Sequence, residues 1–154
     1  MRQKIAADTG MLIRKPVSEV FGAFVDPQVT TQFWFTKSTG KLEKGKTVQW
    51  TWEMYNVTSQ VLVKDLVQDR KLEIEWGSPG QPPMRVEWTF EPMGPHATFV
   101  GIVTDGFQGD EEAVLKSVIG NVGGFCWVLA GCKAYLEHHL QLRLIEDRFP
   151  KNKS

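Results

Sequence analysis

The residues able to bind a metal ion are few and poorly spaced. The three histidines are His96, His138 and His139. Adjacent residues on a helix point about 100° apart, so His138 and His139 cannot chelate one ion together. His96 falls in a turn-like segment, and no histidine lies four residues from another. We therefore predict no metal site and no cofactor, and interpret the histidines as solvated.

Two cysteines are the candidate nucleophiles. Cys126 and Cys132 lie six residues apart on one helical pattern, which separates them by about 9 Å of rise. That spacing prevents a disulfide without unwinding the helix, and free thiols fit a reducing compartment. No histidine stands nearby in a catalytic pattern, and no GxSxG motif is present. Cys132 falls on the apolar face, where a cysteine usually packs as a small hydrophobe.

Glycines precede the last helical segment in the run GNVGG, residues 120–124. A glycine-rich turn before a helix can hold a phosphate. Here the run lacks the lysine of a phosphate-binding loop and follows a helical pattern rather than a strand, so that motif fails. We expect instead close packing, a kink or a break against the sheet.

Acid–base catalysis would need a carboxylate in an apolar interior. Strand alternation places four glutamates on the solvent face: Glu53, Glu73, Glu75 and Glu87. We expect Asp105 to brace the turn before Phe107, as aspartates in turns commonly do. The sequence contains no catalytic constellation, and we do not predict an enzyme.

Aromatic residues are the unusual feature, with six tryptophans and nine phenylalanines. Alternation puts four tryptophans on one face of the strands: Trp50, Trp52, Trp76 and Trp88. Two interpretations stay open. These rings either fill the space beneath a helix as core, or line an apolar pocket.

The elements that position these residues follow from the periodicity. Helical spacing between Pro16 and Pro27 predicts a helix, with a short helical turn after it. Strands are predicted near residues 11–13, 48–54, 57–67, 71–76, 86–90 and 97–104, with turns at 77–83 and 91–96. Tight turns between alternating strands indicate an antiparallel sheet with one dry face.

A long helix is predicted to begin at Gly109 or Asp110 and to be interrupted near the glycines. Its later part carries one broad apolar stripe, formed by Phe125, Val128, Leu129, Cys132, Tyr135, Leu136, His139 and Leu140. The dry face of the sheet is the large apolar surface on which it can pack. We predict an α+β fold, a curved antiparallel sheet wrapped around this C-terminal helix.

Four segments carry a resemblance: IRKPVSEVFGAFVDP, QFWF, TDGF and GGFCWVLAGCKAYLEHHL. In this order they resemble the helix-grip, or START-like, superfamily. Within it the chain is similar to homologues of the activator of the heat-shock protein 90 ATPase, of the C-terminal-domain type. Phe125 stands where the family usually has Trp, and Cys132 where it usually has Leu. Both changes shorten a side chain, which leaves room unless neighbouring tryptophans fill it.

The resemblance implies a cavity for a hydrophobic small molecule between sheet and helix. We therefore expect a non-catalytic protein that binds a hydrophobic or amphipathic ligand, with Tyr135 and His139 orienting it. The predicted cavity walls are Trp50, Trp52, Trp76, Trp88, Phe125, Leu129, Cys132, Tyr135, Leu136 and His139. Two alternatives remain: a stress-related co-chaperone that contacts the heat-shock protein 90 ATPase, and a cyclase- or dehydratase-like enzyme.

Length and charge limit the remaining classes. The 154 residues predict a single domain over 1–154, with a polar tail at 147–154. Lys plus Arg and Asp plus Glu both number 18, which argues against a nucleic-acid partner. The first residues contain no apolar signal core, and we expect no stretch to reach the length of a membrane span. We expect a cytoplasmic protein without membrane insertion.

Overall fold

A computed structural model of the chain describes residues 5–77 and 80–151. The strands are β1 (Ala7–Ile13), β2 (Lys37–Ser38), β3 (Thr47–Trp52), β4 (Val57–Val67), β5 (Lys71–Gly77), β6 (Met84–Pro92) and β7 (Thr98–Asp105). The helices are α1 (Val17–Val25), α2 (Pro27–Thr30), α3 (Glu111–His138) and α4 (Leu144–Arg148). Residues 1–4, positions 78 and 79 of the predicted turn, and tail residues 152–154 lie outside the described part.

The seven strands form one antiparallel sheet in the order β1-β7-β6-β5-β4-β3-β2. From β2 to β7, each strand lies beside the next strand in sequence. β1 instead pairs with β7, with Ala7 opposite Thr104. The single long helix, α3, covers one face of this sheet. The predicted α+β architecture is therefore confirmed.

Strand alternation determines which side chains meet α3. In β5, Leu72 and Ile74 are buried while Glu73 between them is not. In β7, Val100, Ile102 and their alternating neighbours are buried in the same way. This period-2 pattern creates one apolar face and one charged face, as expected for a sheet covered on a single side.

The secondary-structure predictions needed three local corrections. β3 ends at Trp52, and Met54 lies in a 3-10 turn at Glu53–Tyr55 rather than in the strand. The very short strand β2 was not predicted, because two residues carry no periodicity. The predicted polar tail contains the end of α4, so residues 147 and 148 are helical.

α3 runs from Glu111 to His138 without interruption, so the predicted break at the glycines was wrong. Asp110 is the N-cap, and its carboxylate accepts a hydrogen bond from Ala113 N at 2.8 Å. Close packing of Gly120, Gly123 and Gly124 was also wrong, since a Cβ added at each would meet nothing within 4 Å. These glycines face open space, where a glycine costs helix stability but does not break the helix.

Because α3 is continuous, it is long and apolar enough to cross a membrane by length and composition alone. The expectation that no stretch reaches that length was therefore wrong. In this fold the second half of α3 is packed on the sheet instead. Lys133 donates to Leu12 O at 2.8 Å and pairs with Glu137, which accepts from Arg14 N at 2.8 Å.

Candidate ligand-binding site

Trp34 is the centre of the aromatic cluster beneath α3. The chain turns after α2, where Trp34 N donates to Thr30 O at 3.0 Å, and this turn directs the indole into the interior. Its ring centroid lies 4.9 Å from that of Trp50, 5.8 Å from Trp76 and 5.6 Å from Phe125. The predicted wall residues did not include Trp34, although it was part of the aromatic segment QFWF.

The interior under the middle of α3 is filled by these rings. Trp50 and Trp88 are 1% and 0% exposed, and Phe35 stacks on Trp50 with centroids 4.4 Å apart. Edge-to-face aromatic pairs contribute about 0.5–1.5 kcal/mol each beyond the area they bury. Of the two interpretations that the sequence left open, a packed aromatic core describes this region.

Phe125 and Cys132 are both buried in the core. The Phe125 ring contacts Trp34 and also lies edge-on to Trp88, 5.8 Å between centroids, so tryptophans pack around this shorter side chain. Cys132 is 0% exposed, and its burial raises the pKa of the thiol so far that it stays protonated. Leu129 is enclosed in the same core.

An opening lies where the aromatic cluster reaches the surface, and we call it the mouth. It has a volume of about 460 Å³ and sits between the sheet, the first half of α3 and the start of α4. Its apolar walls are Trp52, Val57, Trp76, Met84 and Ile145, and its polar groups come from Tyr55, Thr58, Ser59 and Asn121. Trp52 and Trp76 are predicted wall residues, whereas Tyr55, Asn121 and Ile145 were missed.

The described side chains that line the mouth are uncharged. Gly77 completes its lining, so no charged side chain is among the described residues that line it. Tyr55 donates to Phe149 O at 2.6 Å and lies 3.2 Å from Ile145 O. Burial, followed by the nearby charges of Glu146 and Asp147, raises the pKa of Tyr55, so its hydroxyl is protonated at neutral pH.

Three other predicted wall residues also line a separate groove. Tyr135, Leu136 and His139 border an opening of about 310 Å³ against α1. Leu136 is buried in the same core as Phe125, and Tyr135 packs against that core. His139 is exposed and has a φ of 56°, because α3 ends at His138 and the chain turns away there.

A larger groove, of about 640 Å³, lies on the solvent side of β3, β4 and β5. Its lining includes the side chains of Gln49, Gln60 and Glu75, the last of which is charged. Among the described residues that line this groove, Trp76 is the one that belongs to the aromatic cluster. Volume does not by itself identify a ligand site, and we favour the mouth because it joins apolar walls to convergent polar groups.

The charged face of the sheet holds the carboxylates. Arg85 pairs with Glu73 and with Glu87, and donates to Asp105 at 2.9 Å. The side-chain hydrogen bond from Arg85 holds the pKa of Glu73 below its usual range. We expected Asp105 to brace a turn and did not predict its ion pair with Arg85, which joins β7 to β6. These acids are on the opposite side of the sheet from the aromatic cluster.

Two buried polar atoms stand out within the dry interior. Trp88 Nε1 and Thr104 Oγ1 have no hydrogen-bond partner among the described residues. In the strand register Trp88 lies opposite Ile102, and Val86 lies opposite Thr104. Trp88 and Thr104 therefore lie diagonally to each other on adjacent strands of the dry face. No group of three metal-ligating side chains occurs in the described part of the chain.

These features define a helix-grip protein, a curved antiparallel sheet that holds a long C-terminal helix. The profile of the family "Activator of Hsp90 ATPase homolog 1-like protein" matches residues 14–136. The chain belongs to this family. No curated protein matches the sequence.

Solved structures show the same fold. Protein SSP2350 from Staphylococcus saprophyticus is 27% identical with a TM-score of 0.77, and the match covers 90% of this chain and 96% of that one. The Aha1 dimer from Colwellia psychrerythraea is 12% identical with a TM-score of 0.74, covering 87% and 97%. CalU16 from Micromonospora echinospora is 14% identical with a TM-score of 0.69, covering 94% and 89%. At the last two identities the likeness concerns the fold alone.

Proposed function

We propose that this protein is a non-catalytic binding protein that holds a neutral, largely apolar small molecule in the mouth. The observation that carries the proposal is the union of aromatic walls, Trp52 and Trp76, with uncharged polar groups in one opening. Small-molecule sites typically combine an apolar lining with a few placed hydrogen-bonding groups. The tryptophans below provide a rigid floor, so the ligand lies against the cluster rather than within it.

The chemistry of the lining defines the ligand class. Burial of apolar surface contributes about 25 cal/mol per Å², so the ring faces provide most of the affinity. Asn121 can bind a carbonyl or hydroxyl group without a charge, and Ser59, whose hydroxyl donates to Gly77 O, can accept from a hydroxyl group. An ionised ligand would lose hydration and meet no opposite charge among the described lining residues. We therefore expect neutral aromatic or alicyclic compounds with one or two oxygen groups.

A fluorescence titration with N-phenyl-1-naphthylamine, a neutral apolar probe, tests this function. Met84→Trp places a bulky ring in the mouth and should weaken binding at least tenfold. Phe99→Trp is the matched control, because Phe99 is 42% exposed and lies on the outer face of the sheet. Saturable binding that Met84→Trp weakens and Phe99→Trp does not supports the site. Equal affinity in all three folded proteins would reject it.

A second function, contact with a heat-shock ATPase, is favoured by one observation on α3. Between Lys116 and Lys133 the helix carries no charged residue, and it exposes Ile119 at 64% and Trp127 at 38%. Leu115, which is 59% exposed, lies one turn before Ile119, and contiguous exposed apolar patches mark protein contacts. Stimulated ATP turnover that Trp127→Ala abolishes would support a co-chaperone. Absence of a complex at micromolar concentrations would reject it.

A further inference from the structure

We propose that residues 140–151, which we call the C-terminal strap, close one side of the mouth. In this proposal the hydroxyl of Tyr55 latches the strap and so controls how fast a ligand enters and leaves. The inference rests on the proposed function of the mouth and adds its regulation. It assigns a role to a segment whose last part, residues 147–151, belongs to the predicted polar tail.

Two turns of the backbone bring the strap back over the sheet. His139 and Arg143 have φ values of 56° and 57°, in the left-handed region that non-glycine residues seldom adopt. The first ends α3, where Leu140 N donates to Ala134 O at 3.3 Å, and the second begins α4. Such conformations persist where surrounding contacts hold them, and they cluster at segments that move.

The latch is a side-chain contact between distant parts of the chain. Tyr55, in the turn after β3, lies within hydrogen-bond distance of both Phe149 O and Ile145 O, at 2.6 Å and 3.2 Å. A hydroxyl has one proton, so these two carbonyl oxygens share a single donor. The raised pKa of Tyr55 keeps that proton in place at neutral pH.

The strap supplies a wall of the mouth that is separate from the sheet. Ile145 lines the opening opposite Trp52 and Trp76, and it packs against the buried core. Trp52 and Trp76 belong to strands that are held by ladder hydrogen bonds. Ile145 belongs to a five-residue helix. Elements with few buried contacts open at lower free energy than the core does, so the strap is the wall that moves.

Tyr55→Phe tests the latch, because it removes the hydroxyl and keeps the ring that lines the mouth. The sequence has two tyrosines, so Tyr135→Phe in the separate groove is a matched control. Stopped-flow fluorescence with N-phenyl-1-naphthylamine measures association and dissociation rates. Loss of one hydrogen bond should speed both rates roughly fivefold in Tyr55→Phe. Tyr135→Phe should match the wild type.

Each outcome decides between the latch and the mouth. Parallel acceleration of both rates supports the strap, whereas a change in dissociation alone makes Tyr55 a simple ligand contact and overturns it. Unchanged rates with normal binding also overturn the strap and leave the mouth intact. If the probe binds neither the wild type nor Tyr55→Phe, the proposed strap and the proposed binding site both fail.

Discussion

Both halves of α3 carry large apolar side chains but have different surroundings. Residues 125–136 include every buried position of the helix, among them Phe125, Leu129 and Cys132. Residues 111–124 contain no buried position, and their apolar side chains include Leu115 at 59% exposure. The second half is seated on β1 and the aromatic cluster, whereas Asn121 of the first half borders the mouth. Hydrophobicity alone therefore does not distinguish a core helix from one side of a binding site.

Truncation of one side chain in each half should give the largest contrast. Phe125→Ala removes a ring that packs on three tryptophans, so we expect a loss of about 3–5 kcal/mol in the free energy of unfolding. Ile119→Ala should stay within about 0.5 kcal/mol because Ile119 is exposed. Urea unfolding measures both. Equal losses would show that the two halves are buried alike.

Enlargement of a buried side chain tests whether the interior is full. Cys132→Trp would have to fit a large ring into a site with 0% exposure, and overpacking typically costs about 1–3 kcal/mol. We therefore expect a lower melting temperature in thermal denaturation. A variant as stable as the wild type would reveal the spare volume beneath α3 that the shorter side chain first indicated.

The unpartnered hydroxyl on the dry face predicts a stabilising change. Thr104→Val replaces Thr104 Oγ1 with a methyl group of similar size, which should raise the free energy of unfolding by about 1 kcal/mol. Thr98→Val is the control, because Thr98 Oγ1 donates to Lys15 O at 2.9 Å. The control should lose stability. A loss in Thr104→Val as well would mean that its hydroxyl has a polar partner in the folded protein.

The smallest effect concerns pH and the charged face. The hydrogen bond from Arg85 holds the pKa of Glu73 in the folded protein below 4.5, the ordinary value of a glutamate. This carboxylate therefore stabilises the fold above pH 4.5, and the contribution falls away as pH drops through the folded pKa. Glu73→Gln should show a shallower loss of stability between pH 5 and pH 3 in urea titrations at each pH. If the stability of the wild type and that of Glu73→Gln fall in parallel as pH decreases, this prediction is wrong.

The sequence predicted the sheet well because each long strand carries its own signal. Val48 and Trp50 in β3, or Leu72 and Ile74 in β5, alternate with polar residues, and these are buried in the structure. The cap at Asp110 was also predictable, because a short acidic side chain before a helix can satisfy free backbone N–H groups. These features depend on local spacing alone.

The site was harder to predict because it depends on contacts between distant segments. Trp34 enters the cluster because the chain turns after α2. Tyr55 contacts Ile145, which is 90 positions later in the sequence. His139 was placed on the helical stripe because periodicity cannot show where a helix ends. The glycines predicted a break, but propensity costs at three positions were outweighed by the packing of the rest of α3.

The most direct test is an NMR titration of the six tryptophan indole N–H signals with N-phenyl-1-naphthylamine. We predict saturable shifts for Trp52 and Trp76, which line the mouth, and small shifts for Trp50, which is 1% exposed. That result would place the ligand at the surface of a packed aromatic core. Shifts confined to the buried indoles, or none at Trp52 and Trp76, would contradict the account.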